Sequence, residues 1–221
     1  MCDGDRLRAC NLFGKEMPQV FAHVFGGRVA FRSVQRGVSM AEHVCPWWGG
    51  YFIDNPLRRL LHNPEKILEP YVKPGTTVMD FGCGMGLFSI AMAKMVGHEG
   101  KVIAVDLQQK MLDVLVKRAK KSGVAERITT HRCETGSIGL TEPVDFALAF
   151  YSAHEVPNLR RLLDEIHGCL RPTGKLLVVE PKGHVGPKDF EAMLSLAEDI
   201  GFRVQERPHV RLSRAAVLVK G

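Results

Sequence analysis

Two hydrophobic patterns take turns along this chain of 221 residues. Short continuous apolar runs are followed by longer stretches in which apolar residues recur every three or four positions. The first pattern belongs to strands buried on both faces, the second to helices with one inward stripe. Strands are predicted at Val78–Asp80, Lys101–Asp106, Arg127–Arg132, Val144–Phe150, Lys175–Glu180, Phe202–Glu206 and Arg214–Lys220. Helices are predicted from Leu87, over Leu107–Ser122, over Pro157–Cys169 and over Pro187–Ile200. In the second of these, Met111, Leu112, Leu115 and Val116 face inward and Gly123 ends it. Leu170–Gly174 reads as a turn into the fifth strand. The link before Val144 is too short for more than a rudimentary helix.

Strands alternating with helices, the strands continuously apolar, make an α/β fold: a doubly wound, mostly parallel sheet covered on both faces. Its ligand crevice lies beyond the carboxyl ends of the strands, so the informative residues sit there. Before this domain (residues 76–221), residues 45–75 predict a helical, aromatic cap, with Pro56 and Pro64 in the first turns of two short helices. Residues 1–44 are an arm with little periodicity, expected to be disordered, and Met40 is a candidate start codon.

Composition narrows the function. The formal charge is +6, half of it from residues 1–39, which hold six Lys/Arg against three Asp/Glu. No basic cluster interleaved with aromatics follows, which argues against a nucleic-acid partner. None of the six cysteines forms a C-x-x-C pair, so no metal site is expected. There is neither a secretory signal nor an apolar run long enough to span a membrane, and the expected location is the cytoplasm with thiols reduced.

The stretch Val78–Gly86, VMDFGCGMG, carries the most chemistry. Glycines at 82, 84 and 86 allow a tight turn and close approach of a ligand. A dinucleotide fingerprint needs another glycine at 87, where Leu87 stands; this counts against a dehydrogenase. G-x-G-x-G after an acid instead resembles motif I of the class I S-adenosylmethionine-dependent methyltransferases. The resemblance spans about residues 60–221 and includes LRPTGKLLVVEP and the closing GFRVQERPHVRLSRAAVLVK.

The resemblance implies a seven-stranded sheet of order 3-2-1-4-5-7-6 with the last strand antiparallel, and S-adenosylmethionine as cofactor. Asp80 and the loop Gly82, Cys83, Gly84 and Gly86 would hold its amino-acid part. Asp106, with Leu107 beside it, would take the ribose hydroxyls. Glu134 falls where the family often has an Asp contacting adenine. Phe150 and Tyr151 would pack on the adenine or line the methyl pocket. His154-Glu155 resembles an H-E pair of small-molecule members related to the ubiquinone/menaquinone C-methyltransferases. Asn158 stands where the zinc motif H-E-x-x-H needs its second histidine. His154 and Tyr151 are the catalytic candidates. Trp47, Trp48, Tyr51 and Phe52 would form a lid over a small organic acceptor. Cys45 beside the lid keeps an arsenite acceptor open; an RNA or protein acceptor, and a cofactor-binding module without turnover, also stay open. The chain is expected to be a monomer or homodimer.

Overall fold

The structure, a computed structural model, describes residues 61–221. The predicted lid residues Trp47, Trp48, Tyr51 and Phe52, the arm and the Met40 start lie outside them.

In chain order the elements are α1 (Pro64–Leu68), β1 (Thr77–Phe81), α2 (Leu87–Met95), β2 (Lys101–Asp106), α3 (Gln109–Lys121), β3 (Ile128–Arg132), β4 (Val144–Phe150), α4 (Leu159–Cys169), β5 (Leu170–Pro181), α5 (Pro187–Ile200), β6 (Phe202–Glu206) and β7 (Ser213–Lys220). The seven strands form one sheet of order β3-β2-β1-β4-β5-β7-β6. Pairings are parallel from β3 to β5, and β7 runs antiparallel to both β5 and β6. This is the expected doubly wound sheet. β1 and β4 are neighbours in space but not in sequence, and the chain's direction of winding reverses there.

Alternation along the strands divides the core in two. Met79, Ile103, Val105, Ala147 and Val178 pack with Leu163 and Ile166 of α4 and Phe190 and Leu194 of α5. Val78, Val102, Ala104, Leu148 and Val179 pack with Leu68 of α1, Met92 of α2 and Leu112 and Leu115 of α3. Of the stripe expected on α3, Met111, Leu112 and Leu115 are buried and Val116 is half-buried. Edge strand β3 is only half-covered.

Three boundaries differ from the expectation by more than one residue. The helix expected from Pro157 begins at Leu159, because the Asn158 side chain caps it by accepting from Arg161 N at 3.0 Å. The helix expected from Leu107 starts at Gln109, since Asp106 accepts from Gln108 N at 2.8 Å and holds that residue extended. Leu170–Gly174, expected as a turn, is already strand: Leu170 pairs with Val144, and the register then shifts before Lys175 meets Phe146. The β3–β4 link holds no helix. Its donors are satisfied instead by Glu165 of α4, which accepts from Ser137 Oγ, Ile138 N and Gly139 N.

Leu148 lies in the middle of central strand β4 and is fully buried. Leu148→Ala should lower stability by about 2–5 kcal/mol in denaturant titration. A loss well below 1 kcal/mol would show that this core is loosely packed.

Candidate functional site

The β1–α2 turn is built by contacts that only glycine permits. Gly82 has φ +68, and a Cβ there would stand 2.4 Å from Ser152 Cβ, just past β4. Gly82 N and Cys83 N both donate to Val105 O, at 2.9 and 3.0 Å, which folds the turn back over the end of β2. A Cβ on Gly86 would meet Leu115 Cγ at 2.7 Å. Gly84 differs. Its φ is +52, yet nothing lies within 4 Å of where its Cβ would be. Gly82 and Gly86 serve packing; Gly84 faces open space.

Asp106 ends β2 and is 8% exposed. Its Oδ2 accepts from Gly84 N at 2.9 Å and its Oδ1 from Gln108 N at 2.8 Å. Burial pushes its carboxyl up, although those backbone donors pull the other way. An ionised carboxylate has about four acceptor positions, so two stay available after these bonds. Asp80 is buried below the loop and accepts from Ser89 Oγ at 2.5 Å. Burial and both carboxylates push the Cys83 thiol well above its ordinary value.

The turn therefore offers an open backbone cradle, spare acceptors on Asp106, the uncapped amino end of α2 and two buried acids. Such a site suits a ligand with a carboxylate, vicinal hydroxyls and a positive centre. S-adenosylmethionine has all three.

Cys133 N donates to Asp106 O at 3.1 Å and draws the end of β3 alongside. Glu134 follows with an exposed side chain, its backbone bridged to Ser137. Leu107 is half-buried after Asp106. Asp80, the glycine loop, Asp106, Leu107 and Glu134 thus collect at the carboxyl ends of three adjacent strands.

The residues at the end of β4 divide. Phe150 is 5% exposed and packs on Phe88, with ring centroids 4.3 Å apart, and edge-on to His62. Tyr151 sits at φ +61, costly for a bulky side chain and typical of functional edges. Its hydroxyl bonds Ser213 Oγ at 2.6 Å and His62 Nε2 at 3.2 Å, tying β4 laterally to β7.

His154 lies on a short 3₁₀ turn (Ala153–Glu155). Its Nδ1 meets Glu180 Oε2 at 2.5 Å and its backbone N donates to Oε1 at 3.2 Å. Glu180, at the end of β5, has 0% exposure. Burial depresses the imidazole's basicity, but the bond to Glu180, its charge and that of Glu155 outweigh this and raise the pKa above 6.5. Sequence reading did not single out Glu180; the available signal was an acid at the carboxyl end of an apolar strand, the rule that singled out Asp106.

The Methyltransferase domain family matches residues 78–174. A demethylmenaquinone methyltransferase of Lactobacillus johnsonii is 32% identical over 117 residues, 52% of this chain and 48% of that protein. A 2-phytyl-1,4-naphtoquinone methyltransferase of Synechococcus elongatus is 29% identical over 109 residues, 49% of this chain and 47% of that protein. The chain spans about half the length of these curated relatives. A solved SAM-dependent methyltransferase of Aquifex aeolicus superposes with TM-score 0.70 at 28% identity, covering 80% of this chain and 100% of that one.

The two roles of glycine in the loop separate by mutation. Gly82→Ala should cost more stability than Gly84→Ala, since it adds a clash with Ser152 to the roughly 1–2 kcal/mol of left-handed strain that both share. Gly84→Ala should instead lower affinity for S-adenosylmethionine, measured by calorimetry. Equal effects of the two variants on both quantities would refute the division.

Proposed function

We propose that this chain, which resembles the class I S-adenosylmethionine-dependent methyltransferases, moves a methyl group from that cofactor to a small organic acceptor. The observation that carries the proposal is the His154–Glu180 pair, standing at the same sheet edge as the glycine loop pinned by Asp106.

The cofactor, when bound, supplies a methyl group already activated on a sulfonium. The chain's own residues position and deprotonate. The loop of Gly82, Cys83, Gly84 and Gly86, with Asp80, holds the amino-acid end, Gly84 facing it while Gly82 and Gly86 pack the turn in place; Asp106 takes the ribose hydroxyls; Leu107, Glu134 and Phe150 border the adenine. Alignment of reacting groups contributes on the order of 7–11 kcal/mol where it is good.

His154 is the base. Glu180 fixes Nδ1 as the protonated nitrogen of the neutral ring, which leaves Nε2 to accept a proton from an oxygen, nitrogen or carbon acid. None of the described residues bonds Nε2. Tyr151, its hydroxyl engaged with Ser213 and His62, shapes the pocket wall beside it. Trp47, Trp48, Tyr51 and Phe52, the lid expected from the sequence, lie outside the described residues. The relatives named for quinones support a planar acceptor. An organic acceptor is favoured over arsenite by the described cysteines: Cys83, Cys133 and Cys169 are all buried. Burial pushes the Cys133 thiol up to about 11, and protonated thiols are poor ligands.

The sign of the pH dependence follows from the raised pKa of His154. The base form exists only above that value, so turnover should rise as pH rises through a midpoint above 6.5. The stability that the charged pair adds to the fold is present below the ordinary value and lost over the same rise. Glu180→Gln removes the raising partner and should move the midpoint to lower pH. His154→Ala should lower turnover by roughly 10²–10⁴-fold with cofactor affinity kept. The readout is radiolabelled methyl transfer into the small-molecule fraction of a cell extract across pH. Label in RNA or protein, or an unchanged midpoint in Glu180→Gln, would contradict the proposal.

A further inference from the structure

A pocket of about 350 Å³ opens between the start of α5, the β6–β7 turn and the first residues of β7. That volume falls within the range of roughly 300–1,000 Å³ usual for small-molecule sites. Its walls include apolar Phe190, Val210 and Ala215 and charged Glu191, Arg207 and Arg214. Arg207 is already balanced: its Nη1 and Nη2 donate to the two oxygens of Glu191 at 2.5 and 2.8 Å.

Arg214 is not. It stands directly across from Glu180 in the β5–β7 register, and opposite residues of an antiparallel pair share a face. Glu180 gives both carboxylate oxygens to His154 and pairs with nothing else among the described residues. The Nη1 of Arg214 is shut off from water and has no hydrogen-bond acceptor among the described residues. A guanidinium donor removed from water without an acceptor is unfavourable, and the imbalance is relieved by an anion from outside.

Building on the methyl-transfer reading, we infer that the acceptor is a small organic acid whose carboxylate Arg214 binds. Its apolar body lies against Phe190 and Val210. One unbalanced guanidinium matches the single charge of a carboxylate, and the planar fork of donors matches its two oxygens. Because Arg214 is one strand from Glu180, the acid is gripped at one end beside the imidazole that takes the proton at the other. Arg214 is then a specificity residue, distinct from the groups that hold the cofactor.

The test is calorimetry on the full chain saturated with S-adenosylhomocysteine. The probes are 4-hydroxybenzoate, 3,4-dihydroxybenzoate and indole-3-acetate, each against its primary amide. At least one acid should bind about tenfold or more tightly than its amide. Arg214→Gln should erase the difference, and Arg214→Lys, which keeps the charge without the fork, should keep part of it. S-adenosylhomocysteine affinity, measured in the same titrations, should be unchanged in both variants and reports an intact crevice. Acids that bind no better than their amides, or a preference that survives Arg214→Gln, would overturn the inference while leaving methyl transfer standing. Failure of S-adenosylhomocysteine to bind the wild-type protein would overturn the methyl-transfer reading and this inference with it.

Discussion

The carboxylate of Asp106 receives two backbone donors, from Gly84 on one oxygen and from Gln108 on the other. Through the first bond the glycine turn is held over the end of β2; through the second, the start of α3 is set. The turn then presses Gly82 against Ser152, so its position also fixes the chain just past β4. Ser152 is followed two residues on by His154, which Glu180 anchors to β5. A single set of contacts thus runs from the β2 edge to the β5 edge. Without the Asp106 bonds, the cradle at Gly84 would lose its fixed backbone and the site its pre-organisation, which is where most of the benefit of such positioning arises.

Charge is distributed unevenly along that edge. Asp80 and Asp106 are buried where β1 and β2 end, and Arg214 lies four strands from β2, on β7. A cationic cofactor and an anionic acceptor would each be drawn to the end that suits it. The two would meet near His154, which lies between them after β4. Low exposure strengthens both attractions, because water screens buried charges poorly.

The parts of this architecture that the sequence made legible are those governed by local pattern. Lys101–Asp106 and Val144–Phe150 were readable to the residue because strands buried on both faces carry apolar runs, VIAV in the first and FALAF in the second, set off by polar residues. Pro187–Ile200 was readable because proline opens it and Gly201 closes it. The glycine loop and Asp106 were readable by spacing. Less legible were features set by partners far along the chain. Glu180 finds His154 across 26 residues, and Tyr151 finds Ser213 across 62. No local pattern marks Tyr151 as a left-handed residue, and Arg214 looks like any strand-end arginine until its register with Glu180 is known. The start of β5 at Leu170 was hidden for a related reason: Pro172 and Gly174 read as a turn, while pairing with Val144 overrides that preference.

A crystal structure of the chain with S-adenosylhomocysteine bound tests the central claim most directly. The ribose hydroxyls should lie about 3 Å from the free acceptor positions of Asp106, with the amino-acid carboxylate over Gly84. A ligand seated elsewhere, or a ribose that leaves Asp106 bonded only to Gly84 and Gln108, would contradict it.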